Sequence, residues 1–315
     1  MEKIPIGVSS CLLGNNVRYD GGHKHDRYLT GTLGRWFDWV PVCPEVEYGL
    51  PVPRDTLRLV GDPENPRLVM PRTGVDHTEG MRAWAVGRLE ELAGENLCGF
   101  IFKSRSPSSG MAAVKVYGES GMAVKKGVGI FADALMKRFP LLPVEEEGRL
   151  NDPLLREHFI ERIFLYRRWK ELEERDGGVG DLVEFHADHK LLILSHSPKH
   201  QAALGRLLAN PDRRRARELR DEYFRMLMEA LRLTATVRKH TNVLQHMAGY
   251  FKKRISPDEK RELGEVIERY YRGLVPLVVP LTLIAHYVRL YDEPYLKRQV
   301  YLNPHPVELM LRNHG

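Results

Sequence analysis

A chain of 315 residues has room for about two domains of ordinary size. Its composition, 43% hydrophobic and 29% charged, excludes a disordered or collagen-like protein, and no apolar run of about 18 residues marks a membrane span. Three cysteines are too few for a disulfide scaffold; with no secretory leader pattern, they fit a reducing cytoplasm, where cysteines bind metal or react.

The first half alternates short apolar runs with helical patterns. Ile4–Ser9, Trp39–Val42, Gly99–Lys103 and Ala113–Tyr117 read as strands, and 79–95 and 128–139 as helices. That alternation predicts an α/β layer fold with a mostly parallel sheet flanked by helices, Rossmann-like in outline. The acidic triplet Glu145–Glu147 lies between Pro143 and Gly148 and reads as a linker, giving domains at 1–145 and 150–315. The second half lacks a strand pattern. Asn151-Asp152-Pro153 opens a helix, and periodic segments follow at 154–175, 182–194, 198–208, 213–238, 243–253 and 257–271. This half is predicted to be all-α.

Charge separates the halves. Residues 1–150 hold 19 Lys+Arg and 19 Asp+Glu, whereas 151–315 hold 29 against 23 and carry ten of the 13 histidines. The excess concentrates in 213–254, with 12 basic and four acidic residues. Arg213, Arg217 and Arg220 share a helical face, Arg238-Lys239 and Lys252-Lys253-Arg254 add two clusters, and Tyr223, Phe224, Tyr250 and Phe251 interleave. Cations with aromatics suit a phosphate backbone, although a solvated helix face accounts for the same pattern.

Three loops follow predicted strand ends: Ser9–Gly14 with Cys11, Cys43-Pro44-Glu45, and Ser104–Gly110. In open parallel sheets ligands bind beyond the carboxyl ends of the strands. Parallel neighbours would therefore bring Cys11, Cys43 and the serine loop to one edge, a metal, cluster or thiol site. Cys98 precedes its strand and belongs at the opposite edge, since five or six residues of strand span about 17–20 Å.

The runs VSSCLLG, VRYDG, VCPEVEYGLPVPR and KSRSPSSG closely resemble the thiouracil desulfurase (TudS-type) family over about residues 4–140. HKLLILSHSPKH, HTNVLQHMAGYFKK, PLVVPLTLIAHY and YLNPHPVELMLRN resemble the helical YbgA-type domain. The fused arrangement resembles the RudS-type desulfidases, which implies removal of sulfur from 4-thiouridine in tRNA, with free thiolated bases as an alternative substrate.

The resemblance also implies a mechanism. Three cysteines hold a 4Fe-4S cluster with one iron left open. That iron takes the thiocarbonyl sulfur, water attacks the carbon, and hydrogen sulfide leaves. Cys11 and Cys43 match two ligands; Glu45 matches the acid–base carboxylate; Ser106 and Ser108 are the hydroxyls placed to orient the base or pass a proton. Arg18 and Lys103, with Arg54, would meet substrate phosphate or pin a loop carboxylate. The basic residues of the second half would bind tRNA.

One position departs from the family. Ser109 stands where the pattern Ser-Pro-Ser-Cys-Gly has its third cysteine. Four readings follow: an engineered replacement, which is preferred; serine ligation; a third thiolate from Cys98; or a cluster-less RNA-binding adaptor. As written, the chain is expected to hold a weak or absent cluster.

Overall fold

A computed structural model describes residues 2–175, 177–209 and 216–313. It divides into two compact units, 1–159 and 160–315. The first is a mixed α/β unit and the second is all-helical.

Four strands form the central sheet of the first unit: β1 (Ile4–Ser9), β2 (Phe37–Val42), β6 (Phe100–Phe102) and β9 (Val144–Glu146). Their order is β2-β1-β6-β9 and every pairing is parallel. β1 and β6 are almost wholly buried, as expected of strands covered on both faces. Gly7 is required where β1 meets β6, because a Cβ there would lie 2.2 Å from the Phe100 ring.

A second, mixed sheet was not anticipated from the sequence. It comprises β3 (Arg58–Val60), β4 (Arg67–Met70), β5 (Val75–Asp76), β7 (Val114–Tyr117) and β8 (Ala123–Gly127), in the order β5-β4-β3-β7-β8. β7, expected among the parallel strands, belongs to this sheet. Helix α2 (Thr78–Gly94) buries Met81, Ala85, Leu89 and Leu92 at helical spacing. Met81 packs with Leu59, Leu68, Val114, Val116 and Ile130, which joins the second sheet to α2 and to α3 (Ile130–Arg138). The short α1 is Pro44–Glu47.

The acidic triplet read as a linker is largely strand. Glu145 and Glu146 are buried in β9. Arg149 binds Glu145 at 2.6 Å, and the Met111 amide donates to Glu146 at 2.9 Å. The two compact units divide at 159/160, inside α4 (Pro153–Glu174).

The helical unit continues through α5 (Val179–His196), α6 (Pro198–Ala209), α7 (Ala216–Arg232), α8 (Val237–Tyr250), α9 (Pro257–Tyr271), α10 (Val278–Leu290) and α11 (Pro294–Lys297). The span predicted as one helix over 213–238 is α7 and the start of α8, separated by a break that ends at Thr236, whose hydroxyl caps α8. α9 opens with a Ser256–Glu259 capping box. Pro280 sits in the first turn of α10, where a missing amide hydrogen costs nothing. Among the described residues, no helix is long and apolar enough to cross a membrane.

Candidate functional site

Because the central strands are parallel, their carboxyl ends share one edge. Ser9 pairs with Val42, and Val8 with Ile101. Each strand therefore releases its loop beside the next. After β1, a tight turn (Ser10–Leu13) carries Cys11 and closes at Gly14, with φ of 95°, a backbone state natural to glycine. After β2, Cys43 precedes α1, and Glu45 lies in the first turn of that helix. After β6 come Lys103 and the serine loop.

Cys11, Cys43, Glu45, Ser106 and Ser109 line one pocket of about 340 Å³, together with Arg18, Arg54 and Lys103. Ser108 does not line it, but is fully buried immediately behind. Cys98 is also buried, and its amide donates to the Pro5 carbonyl at 2.9 Å. It therefore lies beside the start of β1, a strand's length from Cys11, and cannot serve as a third ligand.

The serine loop is held from both sides. The Ser106 hydroxyl accepts the amides of Ser108 and Ser109 at 3.3 and 3.2 Å, and the Gly110 amide donates to the Ser106 carbonyl at 2.8 Å. The Ser108 carbonyl in turn accepts the amides of Phe131 and Ala132 at 2.9 and 3.2 Å. The loop thus satisfies helix-start amides of α3 that would otherwise lack partners. Only glycine fits at 129, since a Cβ there would lie 2.5 Å from the Ser108 carbonyl oxygen.

A hydrogen-bonded chain crosses the pocket. The Ser108 hydroxyl donates to Glu45 Oε1 at 2.6 Å and lies 2.9 Å from the Ser106 hydroxyl. Cys43 Sγ points at Glu45 Oε2 from 3.6 Å. Arg54 approaches that same oxygen at 3.8 Å and donates to the Val17 carbonyl at 3.0 Å. Of the two roles the sequence offered Arg54, phosphate contact or pinning a loop carboxylate, this contact is the second.

Lys103 reaches Glu147 at 2.5 Å, and Glu147 also accepts the Ser104 amide at 2.7 Å. Glu147, within the triplet read as a linker, thus anchors the root of the serine loop. Arg18 contacts Asp20 at 3.4 Å.

Burial pushes the Cys11 thiol up to about 11, against the opposing pull of Lys103. Burial, reinforced by the Glu45 carboxylate, pushes Cys43 up to about 12. Both are thiols at neutral pH. A bound soft cation reverses that cost, because thiolate is its preferred partner.

The soft donors converging here are two thiols, and the third position is a hydroxyl. Among the described residues, no group of three or more His, Cys, Asp and Glu is arranged to hold a metal ion. A cluster carried on three thiolates does not fit this donor set.

In the helical unit the basic residues part company. Arg213 lies outside the described residues. Arg217, Arg238, Lys252 and Lys253 are exposed. Arg220 is half-buried, with one guanidinium nitrogen sequestered. Lys239 donates to the carbonyls of His196 and Thr234 at 2.6 and 2.9 Å, so it caps the end of α5. Arg254 donates to the Tyr291 carbonyl at 2.8 Å and pairs with Glu293 at 3.2 Å. Tyr223 and Phe224 stack on Trp169, and Phe251 is buried. Tyr223 and Phe251 are core and Phe224 is half-buried; Tyr250 remains exposed, stacked on Tyr295.

The family model described as 2-thiouracil desulfurase matches residues 6–147. The model described as a protein of unknown function, DUF1722, matches 190–306. The uncharacterized protein YbgA of Escherichia coli (strain K12) is 34% identical over 155 residues, 49% of this chain and 92% of YbgA. The uncharacterized protein YbbK of Bacillus subtilis (strain 168) is 30% identical over 154 residues, 47% of this chain and 99% of YbbK. A solved structure, the 4Fe-4S-dependent thiouracil desulfidase TudS, is 30% identical with a TM-score of 0.38, covering 48% of this chain and 95% of TudS. The chain belongs to the family of YbgA and to that of YbbK, relatives it covers almost in full, and its residues 6–147 carry the match to the 2-thiouracil desulfurase model.

Proposed function

We propose that the chain is built to remove sulfur from a thiolated uracil base, with 4-thiouridine in tRNA as the substrate. Water supplies the replacing oxygen, and hydrogen sulfide leaves. On this reading residues 1–145 form the desulfurase domain and 150–315 the domain that holds tRNA. The observation that carries the proposal is the meeting of Cys11, Cys43, Glu45 and Ser106 in one pocket at the strand ends. The match of residues 6–147 to the 2-thiouracil desulfurase model supports it.

Glu45 is the proton-handling group. It accepts from the Ser108 hydroxyl at 2.6 Å, and Arg54 holds its carboxylate in place. Ser106 sits next in the chain, where a base edge entering the pocket would meet it. Arg18 and Lys103, at the pocket wall, offer positive charge to a substrate phosphate. The 4Fe-4S cluster of the related TudS would lean on Cys11 and Cys43 in this chain. Ser109 leaves it one thiolate short, so the chain as it stands lacks the donor set that such a cluster needs.

The test is Ser109→Cys, purified beside the unaltered chain and reconstituted anaerobically with iron and sulfide. The variant is expected to retain about four irons per chain, the stoichiometry of a 4Fe-4S cluster, turn brown, and consume 4-thiouridine in tRNA faster than free 2-thiouracil. Preferential turnover of the free base would favour a small-molecule enzyme. A colourless variant that still binds tRNA would refute the enzymatic reading and leave the second one, a cluster-less RNA-binding adaptor, which Ser109 itself favours.

A further inference from the structure

The second sheet presents a face that its own fold does not use. Leu59, Leu68, Val114 and Val116 point into the core. Side chains alternate along a strand, so Arg58, Lys115 and Tyr117 point the other way. Arg58 is in β3, next to β7, where Leu59 pairs with Val116 and Val60 with Tyr117. Lys115 pairs directly with Lys125 of β8. Arg58, Lys115 and Lys125 therefore form a row of like charges across three adjacent strands, about 10 Å long at the usual strand spacing.

Like charges directly opposite in a sheet are destabilising. Here, among the described residues, no carboxylate relieves them, and only Arg58 has a favourable contact, with the Tyr117 ring. All three are exposed, and among the described residues none of the three has an ion pair. Arg67, on the same face in β4, is different, being paired with Asp76 at 3.4 Å. Tyr117 lies among these cations, half-buried, with the Arg58 guanidinium 4.8 Å from its ring centre. Cations flanking an aromatic on an open sheet face match the needs of a nucleic-acid strand: charge for the backbone and a ring for one base.

The position of the row selects the occupant. Leu57 lines the thiol pocket from the core side, and Arg58, the next residue, points to the other face. The row therefore starts at the end of β3 nearest the pocket, and a strand leaving the pocket reaches it by passing round that end. The geometry points to an interaction surface for single-stranded RNA: Arg58, Lys115 and Lys125 hold consecutive phosphates of the strand whose base enters the pocket, and Tyr117 stacks on a neighbouring base. This rests on the reading of the pocket as a site for a base within RNA, and it locates RNA contacts outside the helical unit.

The full-length chain is compared with the triple variant Arg58→Gln/Lys115→Gln/Lys125→Gln and with Tyr117→Ala. The probe is a fluorescein-labelled oligouridylate, followed by anisotropy between roughly 50 and 200 mM salt. The triple variant is expected to bind at least tenfold more weakly. Its slope of log affinity against log salt should be shallower by about 2, three phosphates at ~0.7 each for a single strand. Tyr117→Ala should weaken binding about tenfold with the slope unchanged. All three residues of the triple variant are exposed and their like charges face one another, so its melting temperature should be at or slightly above that of the parent.

An unchanged affinity and slope in the triple variant overturns the inference. So does an equal loss of binding to polyglutamate, since that would mark a change in overall charge rather than a phosphate track. Turnover is not the readout. If RNA binding falls as expected while Ser109→Cys shows no desulfuration, the face stands and the chemistry of the pocket falls. If desulfuration is found but the triple variant binds RNA normally, the reverse holds.

Discussion

Glu161 offers the most direct test of what holds the helical unit together. Its carboxylate is buried near the start of that unit, 2.5 Å from His196 Nε2 and 3.2 Å from Arg312 Nη2. His196 and Arg312 are also buried. His196 Nδ1 lies 2.7 Å from the Leu233 carbonyl, and Arg312 donates to the Tyr301 carbonyl at 2.6 Å. One carboxylate thus links α4, α5 and the C-terminal segment. The bond to His196 and the charges of His196 and Arg312 hold its carboxyl well below the usual carboxylate range, against the opposing effect of burial. Glu161→Gln keeps the shape and removes the charge, which leaves Arg312 buried without its carboxylate. Breaking a buried pair in this way costs about 3–5 kcal/mol, a large part of the ~5–15 kcal/mol that holds a domain together. For a unit of this size the melting midpoint should fall by roughly 6–20 °C. Thermal unfolding of the full chain at pH 7, followed by far-ultraviolet circular dichroism and calorimetry, reads it. A loss under about 1 kcal/mol would refute the assignment, because surface pairs alone contribute that much. Replacing both partners, Glu161→Leu with Arg312→Met, should recover part of the loss, since the charges then no longer need each other.

Two further predictions use the same accounting. Burial lowers His186 and His305 to about 4 and His189 and His240 to about 3. The folded unit therefore binds fewer protons than the unfolded chain below the ordinary histidine value of about 6.5. The stability these groups contribute is complete above that pH and is lost as pH falls toward 4 and 3. The midpoint of the helical unit should drop on going from pH 7 to 5, and a flat profile would show that these rings are not buried neutral. In the first unit, Gly129→Ala would force a methyl group against the Ser108 carbonyl, 2.5 Å away, and overpacking of this kind costs about 1–3 kcal/mol. It should displace the serine loop and slow cluster uptake in the Ser109→Cys background; undiminished uptake would mean that the contact with α3 does not position the loop.

Much of the first unit was legible in the sequence because its central strands are apolar runs ended by turn residues. The edge where Cys11, Cys43 and the serine loop meet follows from parallel order alone. The second sheet was not legible for a physical reason. β5 is two residues long, β3 three, and β8 reads Ala-Val-Lys-Lys-Gly, too short or too charged for a period of two to stand out. Its stability comes from Leu59, Leu68 and Val116 meeting Met81, partners distant in the chain.

Charge misled in both halves for one reason: a sequence lists charges but not their acceptors. The acidic triplet reads as a solvated linker until Arg149, the Met111 amide and Lys103 are seen to satisfy its carboxylates. Lys239 reads as part of a basic patch until its ammonium is found on the last carbonyl of α5. The converse holds for Arg58, Lys115 and Lys125. They lie in separate segments and form no cluster in the sequence, yet strand register sets them side by side. A row of cations that the fold brings together and leaves unpaired is a stronger sign of an external anion than a longer run of charges that the fold itself neutralises.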